Sequence, residues 1–367
     1  MNDPRISKLA DVLINYSISL KKGQTLIISA TPQATPLVRE IYGKALQKGA
    51  FPMTSISVDG LEEVFYRYAS EEQLKYISPI RRFSFEKADA IISIISGFNT
   101  KALANVEPKK MVLNNRAMAP LFKKFMHRSA GGQVRWVGCQ FPTHAYAQDA
   151  VMSLAEYEDF VFRACRLDKK DPITEWKKMA TYNARLIKYL SRKDEIRIVA
   201  KDTDLRYRVG GRKWINCDGK NNFPDGEVFT APIEDSANGH IRFTYPAEYG
   251  GREAEDVRIE FKNGKAVKAT AARGEEFLNA MLDTDKGSRY LGEVAIGTNF
   301  GITKYTKNTL FDEKIGGTVH MALGESYPES GGKNHSGVHW DMVCDLRAGG
   351  ALYADGELFM KNGRFLK

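Results

Sequence analysis

Histidine and carboxylate side chains that could bind metal are concentrated in the last part of the chain. Four of the six histidines lie beyond residue 227. His339 and Asp341 are separated by one residue, and residues two apart on a β-strand point to the same side. An imidazole beside a carboxylate can bind a divalent cation. A surface pair with no metal is the alternative, so this pattern needs further ligands.

Further candidate ligands lie in apolar segments. His320 precedes Met-Ala-Leu-Gly, although a single histidine in such a run is more often a core residue. Glu227 and Glu293 each follow a glycine and begin an apolar stretch, and Glu313 lies before Lys-Ile-Gly-Gly. A carboxylate is costly to bury without a partner, and a metal ion is one way to offset that cost. For each glutamate taken alone, an edge-strand or loop position is the alternative.

The candidates together form a plausible set of ligands for two metal ions. The set comprises Glu227, Glu293, Glu313, His320, His339 and Asp341. Carboxylates with two histidines suit a pair of divalent cations about 3.5–4 Å apart that share a bridging carboxylate. Such a pair makes water more acidic and polarises a carbonyl group, so the pattern predicts a hydrolytic metal site.

The first half of the chain alternates short apolar runs with amphipathic segments. Predicted strands include Thr25–Ser29, Ala88–Ile95 and Gln133–Cys139, and Pro36–Gln47 has the apolar spacing of a helix. Fully apolar strands between helices favour a mainly parallel sheet covered on both faces. Residues 1–190 are therefore predicted to form an α/β domain. A glycine-rich nucleotide-binding motif does not occur in it.

The second half has a different pattern of predicted secondary structure. A long helix is predicted at Glu175–Leu190, followed by short strands beginning at Ile196–Ala200. The turn pair Asn263-Gly264 is flanked by alternating residues, which is typical of a hairpin. One helix is predicted near residues 274–282. Residues 191–367 are therefore predicted to form an antiparallel-rich α+β domain that contains the candidate metal ligands.

Composition narrows the classes of partner. The net charge is +9, which would suit a nucleic-acid partner. The basic residues are interspersed with acidic ones, however, and neither an arginine-rich tail nor an RNA-binding aromatic motif occurs, so no nucleic-acid partner is expected. No segment approaches the roughly 18 apolar residues of a membrane span, so no membrane partner is expected. The amino terminus has no secretory pattern, and the four cysteines form neither a CxxC motif nor a disulfide framework, which favours the cytoplasm.

Five segments around these candidates carry a family resemblance. The segments are Gly226-Glu-Val-Phe-Thr-Ala-Pro232, Arg289-Tyr-Leu-Gly-Glu-Val294, Asn308-Thr-Leu-Phe-Asp-Glu313, His320-Met-Ala-Leu-Gly-Glu-Ser-Tyr327 and Asn334-His-Ser-Gly-Val-His-Trp-Asp341. In type, order and rough spacing they resemble the metallo-aminopeptidase family of aminopeptidases T and S, first known from thermophilic bacteria. The resemblance covers nearly the whole chain and implies an α/β N-terminal domain followed by a metal-binding C-terminal domain.

The resemblance also implies roles for individual residues. The implied metal ligands are Glu227, Glu293, His320, His339 and Asp341. Glu293 would bridge two metals, Glu313 would be a further ligand or a general base, and Tyr327 would be the catalytic tyrosine. From the residues alone, Tyr327 would have been interpreted as a loop tyrosine stacked on Pro328.

The implied activity is hydrolysis of the first peptide bond of short peptides by a homodimer that holds two divalent ions, Zn, Co, Mn or Mg. Two alternatives remain at this point. The same ligands could serve a metallohydrolase of another amide or an ester, since a fold does not fix the substrate. The chain could instead be a non-enzymatic anion-binding protein with structural metal, although structural zinc sites are usually rich in cysteine and this ligand set contains none.

Overall fold

The computed structural model describes residues 3–366, and its elements are numbered here in chain order. The helices are α1 (Pro4–Val12), α2 (Thr35–Gln47), α3 (Leu61–Tyr68), α4 (Glu71–Lys75), α5 (Pro79–Lys87), α6 (Pro108–Ala130), α7 (His144–Asp149), α8 (Leu154–Ala164), α9 (Pro172–Leu190), α10 (Glu275–Leu282) and α11 (Thr309–Asp312). A π-helical turn, Leu13–Ser17, continues α1, and 3-10 turns occur at Pro32–Ala34 and Pro328–Ser330.

The strands are short and most of them lie in the second half. They are β1 (Thr25–Ala30), β2 (Phe51–Ile56), β3 (Ala90–Ile95), β4 (Arg135–Gln140), β5 (Glu195–Ala200), β6 (Thr203–Arg208), β7 (Ile215–Cys217), β8 (Asn222–Phe223), β9 (Glu227–Thr230), β10 (Asn238–Arg242), β11 (Ala247–Tyr249), β12 (Arg252–Ala254), β13 (Arg258–Lys262), β14 (Lys265–Thr270), β15 (Leu291–Gly297), β16 (Thr318–Gly324), β17 (His339–Asp345), β18 (Ala351–Ala354), β19 (Glu357–Lys361) and β20 (Arg364–Phe365).

The chain divides into two compact units. The first unit extends to residue 173 and includes residues 219–224. The second unit comprises residues 174–218 and the chain from residue 225 onward. Its core includes Leu186 and Leu190 of α9, packed with Ile196 and Ile198 of β5. The sequence-based boundary between residues 190 and 191 had placed α9 in the first domain, because an apolar helix face does not reveal which core it will join.

The first unit contains the predicted parallel sheet. Its strand order is β2-β1-β3-β4-β8, and every neighbouring pair is parallel. Central residues such as Ile28, Ile92 and Val137 are fully buried, as expected for strands covered on both faces. Helix α6 was not predicted. Only Leu121 and Phe125 of its residues are buried, so its apolar residues recur only weakly at helical spacing.

The second unit contains two larger antiparallel sheets, as the sequence predicted. One has eight strands in the order β14-β13-β10-β6-β5-β18-β19-β20, and the other has five in the order β17-β16-β15-β9-β7. The expected hairpin joins β13 to β14, with Asn263 and Gly264 both at positive φ in the turn. Among residues 3–366, no helix is long and apolar enough to cross a lipid bilayer.

A core substitution tests whether α9 is integral to the second unit. Leu190→Ala should lower the free energy of unfolding by about 2–5 kcal/mol, because it leaves a cavity in a fully buried position. Val267→Ala is the matched control, since Val267 is half exposed on β14 and should change stability by less than about 0.5 kcal/mol. Urea unfolding of both variants measures the difference, and equal midpoints would contradict the packing of α9.

Candidate metal centre

Strand β17 separates its side chains between a core and a polar face. Trp340 and Met342 are buried in the core of the second unit, and Trp340 packs against Phe277 of α10. His339 and Asp341 alternate with them and therefore lie on the opposite face of the sheet. The shared orientation predicted from their spacing is thus present in the structure.

Strand register brings ligands from three strands to that same face. Ala322 on β16 lies opposite Glu293 on β15 and also opposite Asp341 on β17. His320, two residues before Ala322, lies opposite Ala295. Residues directly opposite in an antiparallel pair point to the same face, so all three candidate ligands face one volume.

Small residues keep the middle of this face open. His339 lies opposite Gly324, and Glu227 on β9 lies opposite Gly297. With Ala295 and Ala322, these glycines leave no bulky side chain between the ligands. The side chains of the predicted ligands can therefore approach one another above a surface formed by small residues.

Glu313 reaches the face from outside the sheet. It is the residue after α11, a short helix whose first turn is capped by the side chain of Asn308, which accepts a hydrogen bond from Leu310 N. A carboxylate oxygen of Glu313 lies within 4.8 Å of ligand atoms of His320 and Asp341. All six predicted metal ligands are therefore brought together.

Backbone carbonyl groups orient the two imidazoles. A carbonyl oxygen can only accept, so His320 Nδ1 donates to the carbonyl oxygen of Glu313 at 2.9 Å and His339 Nδ1 donates to that of Glu325 at 2.8 Å. Each Nε2 is thereby directed at Glu293, His320 at 3.5 Å from Oε1 and His339 at 3.3 Å from Oε2. This arrangement, one ring nitrogen fixed by a carbonyl and the other presented to a ligand site, is usual for metal-binding histidines.

The charges at the site act strongly on one another. Burial alone would lower the pKa of His320, but its contact with Glu293 and the charges of Glu227, Glu293 and Asp341 raise that pKa to about 10. Burial opposes ionisation of Glu293 as well, yet contacts with both imidazoles lower its pKa to about 2. The carboxylates thus stabilise positive charge near the two Nε2 atoms. Either a proton or a bound cation can supply that charge.

Two carboxylates are buried without sufficient partners. Burial raises the pKa of Glu227 to about 8 and that of Asp341 to about 6. Within residues 3–366, Glu227 Oε2 and Asp341 Oδ1 accept no hydrogen bond, although both atoms are inaccessible to solvent. Buried unsatisfied carboxylate oxygens are costly, and a cation bound beside each of them would satisfy it. The residues present therefore fit a divalent metal.

The glycines before Glu227 and Glu293 have a steric function. Gly226 has φ of 118°, and a Cβ there would lie 2.7 Å from the Cβ of Asn299. A Cβ at Gly292 would overlap the carbonyl oxygen of Glu325. The Gly-Glu pattern seen in the sequence therefore reflects close backbone approach beside each ligand.

Tyr327 lies at the rim of the ligand set. Its ring meets the ring of His339 edge-on at 4.9 Å and packs on Phe229 at 5.5 Å. Burial and the surrounding carboxylates, Glu293 first among them, raise the pKa of Tyr327 well above its usual value. Tyr327 is nevertheless 40% exposed, so a protonated phenol is presented to whatever enters the site.

A recess adjoins the ligands on the side of Glu313 and Asp341. Its walls are formed by Pro246, Glu248, Tyr305, Lys307, Thr309, Asp312 and Val343. Tyr305 is fixed by stacking on Tyr245 and by donating to the carbonyl oxygen of Pro246 at 2.6 Å. The recess is small, with room for about one water molecule next to Glu313 and Asp341.

Three residues of this centre were missed by sequence reasoning. Lys314 is fully buried beside Glu313, and Cys217 and Asp225 lie next to Glu227. A lysine after a glutamate usually marks a solvated loop, and a lone cysteine has no spacing signal. Only burial and strand pairing, which belong to the tertiary structure, reveal them.

Comparison with known proteins gives a consistent result over the whole chain. A family described as thermophilic metalloprotease (M29) matches residues 2–365. Aminopeptidase T of Thermus thermophilus is 30% identical, covering 98% of both chains, and aminopeptidase 2 of Geobacillus stearothermophilus is 29% identical, covering 93% of this chain and 92% of that protein.

Solved structures show the same fold. Wild-type AmpT from Thermus thermophilus superposes with a TM-score of 0.86 at 27% identity, covering 99% of each chain. A 2,5-dihydroxypyridine dioxygenase from Pseudomonas putida has a TM-score of 0.57 at 12% identity, with 98% of this chain and 96% of that chain covered. At that identity the second likeness concerns the fold alone.

Two neighbouring histidines provide a matched test of the centre. His339→Ala should weaken binding of a divalent cation by at least about 100-fold, because loss of a mere supporting partner of a ligand already costs about 10–100-fold. His335→Ala should bind normally, since the His335 side chain is 79% exposed and pairs with Glu325, which is not a predicted ligand. Equilibrium dialysis of the chelated proteins against Zn²⁺ or Co²⁺ measures both. Equal cation content in the two variants would exclude His339 as a ligand.

Proposed function

This chain belongs to the M29 family of thermophilic metalloproteases and is a peptide-bond hydrolase, and we propose that it removes amino-terminal residues from short peptides with two divalent ions. The observation that carries the proposal is the orientation of His320 and His339. Both imidazoles are fixed through Nδ1 and direct Nε2 at the two oxygens of Glu293. A carboxylate between two such nitrogens is suited to bridging a pair of ions.

The ligands separate into overlapping groups that share Glu293. Glu227, Glu293 and His320 would hold one ion, and Glu293, His339 and Asp341 would hold the other. Glu313 forms a third close group with His320 and Asp341, which favours a ligand role for it. When bound, the ions supply Lewis acidity, which polarises the scissile carbonyl and makes water acidic enough to attack near neutral pH.

Protein side chains would complete the reaction around the ions. The Tyr327 phenol stays protonated and is exposed at the rim, so it would donate a hydrogen bond to the oxyanion of the tetrahedral intermediate. If Glu313 is not a ligand, its carboxylate would carry a proton to the leaving amine.

The remaining expectations rest on the family resemblance. They are short substrates, a homodimer, a cytoplasmic location and Zn, Co, Mn or Mg as the metal. The competing function is hydrolysis of another amide or ester by the same ligands, since ligand type does not fix the substrate.

Substrate preference tests the proposal directly. After chelation, the enzyme is given back Zn²⁺, Co²⁺, Mn²⁺ or Mg²⁺. It should then cleave leucyl and other aminoacyl p-nitroanilides, because an aminopeptidase recognises the free α-amino group of its substrate. N-acetylated versions of the same compounds are the matched controls and should resist cleavage. Release of p-nitroaniline is the readout. Cleavage of blocked and free substrates alike would favour a general amide hydrolase, and no cleavage with any metal would reject peptidase activity.

Tyr327→Phe removes only the phenolic hydroxyl. We expect unchanged metal content and a kcat lower by about 10²–10³-fold, the usual effect of removing one oxyanion donor. Tyr68→Phe serves as the control, since Tyr68 is exposed in the other unit. Steady-state kinetics with metal analysis of the same samples separate the two effects. An unchanged kcat would exclude Tyr327 from the reaction.

A further inference from the structure

Lys314 is a fully buried lysine at the edge of the metal centre. Its side chain has no exposed surface, whereas lysine is almost never fully buried unless it is paired. It follows Glu313 directly and precedes the strand that carries His320. The reaction proposed above does not use it.

The partners of Lys314 are the carboxylates on one side of the ligand set. Its Nζ forms an ion pair with Glu313 Oε1 and lies 3.9 Å from Glu227 Oε1. The ammonium group of Lys314 therefore lies against two of the predicted metal ligands.

The same corner contains side chains of metal-ligand type. Cys217 lies directly opposite Glu227 in the pairing of β7 with β9. Ligand atoms of Cys217, Asp225 and Glu227 all lie within 4.8 Å of one another. Glu227 Oε2 is buried and accepts no hydrogen bond from the described residues. A thiol with two carboxylates suits a borderline divalent ion such as Zn²⁺ or Co²⁺.

Charge balance explains why a lysine is present there. The close groups at this centre contain five carboxylates, which are Asp225, Glu227, Glu293, Glu313 and Asp341. Two divalent ions would supply four positive charges, and Lys314 supplies a fifth. Without it, one buried carboxylate would remain uncompensated, at a high cost.

We propose that the ammonium group of Lys314 stands in for a third metal ion beside Glu227. It binds the carboxylates of Glu227 and Glu313. It thereby prevents a metal ion from binding to the side chains of Cys217 and Asp225. Metal ions are thereby confined to the side of Glu227 that carries the histidines. This inference rests on the two-metal site of the proposed function.

The test is the number of Co²⁺ ions bound by Lys314→Ala. Chelated wild-type protein should take up two Co²⁺ per chain without thiolate-to-Co²⁺ charge-transfer absorption. Lys314→Ala should take up one more Co²⁺ and gain that absorption, because a coordinated thiol is deprotonated. The gained absorption should disappear in the double variant Lys314→Ala with Cys217→Ser. Lys304→Ala, ten residues earlier and exposed, should behave like the wild type.

The outcomes separate this inference from the proposed function. Two Co²⁺ in the wild type, with the same two and no thiolate absorption in folded Lys314→Ala, would overturn the role of Lys314 alone. Failure of the wild type to bind Co²⁺ would overturn the two-metal site and this inference with it.

A second variant covers the case in which Lys314→Ala does not fold. The double variant Lys314→Ala with Asp225→Asn loses one carboxylate together with the ammonium group. It should therefore fold and bind two Co²⁺ without thiolate absorption. Circular dichroism with and without Co²⁺ monitors folding. If neither Co²⁺ nor Asp225→Asn restores folding, charge balance is not the role of Lys314.

Discussion

The centre depends on burying several carboxylates on one face of a sheet. Glu227 and Glu293 are only 4% exposed, and their neighbours at the site are also acidic. Mutual repulsion and loss of hydration would destabilise such a cluster without positive charge close by. Lys314 and the proposed divalent ions would supply that positive charge together. The electrostatic requirement thus explains both the ligand types and the presence of a buried lysine.

Rigid support makes that arrangement possible. The opposite face of the same sheet is packed into the core of the second unit through residues such as Trp340, Met342 and Met321. The histidines are oriented by carbonyl groups of Glu313 and Glu325, so their positions do not depend on a bound ion. Because backbone and core fix these side chains beforehand, an ion that bound here would cause little reorganisation.

The fold alone does not determine the substrate or the metal, which depend on the residues at the site. Family membership determines a peptide-bond hydrolase, while substrate length and metal identity depend on details around the ligands. The wall residues of the recess and the partly exposed Tyr327 lie at the edge of the candidate ligand set. Differences in specificity among relatives are therefore expected in these rim residues rather than in the sheet.

The sequence by itself determined the local features. It indicated the parallel sheet of the first unit, the hairpin at Asn263-Gly264 and the shared face of His339 and Asp341, because these follow from period and turn chemistry over a few residues. It could not assign α9 to a core or predict α6. The tertiary structure alone decided that Cys217 and Asp225 lie next to Glu227, and that Lys314 is buried beside Glu313. Register and burial are set by long-range packing, which no local pattern encodes.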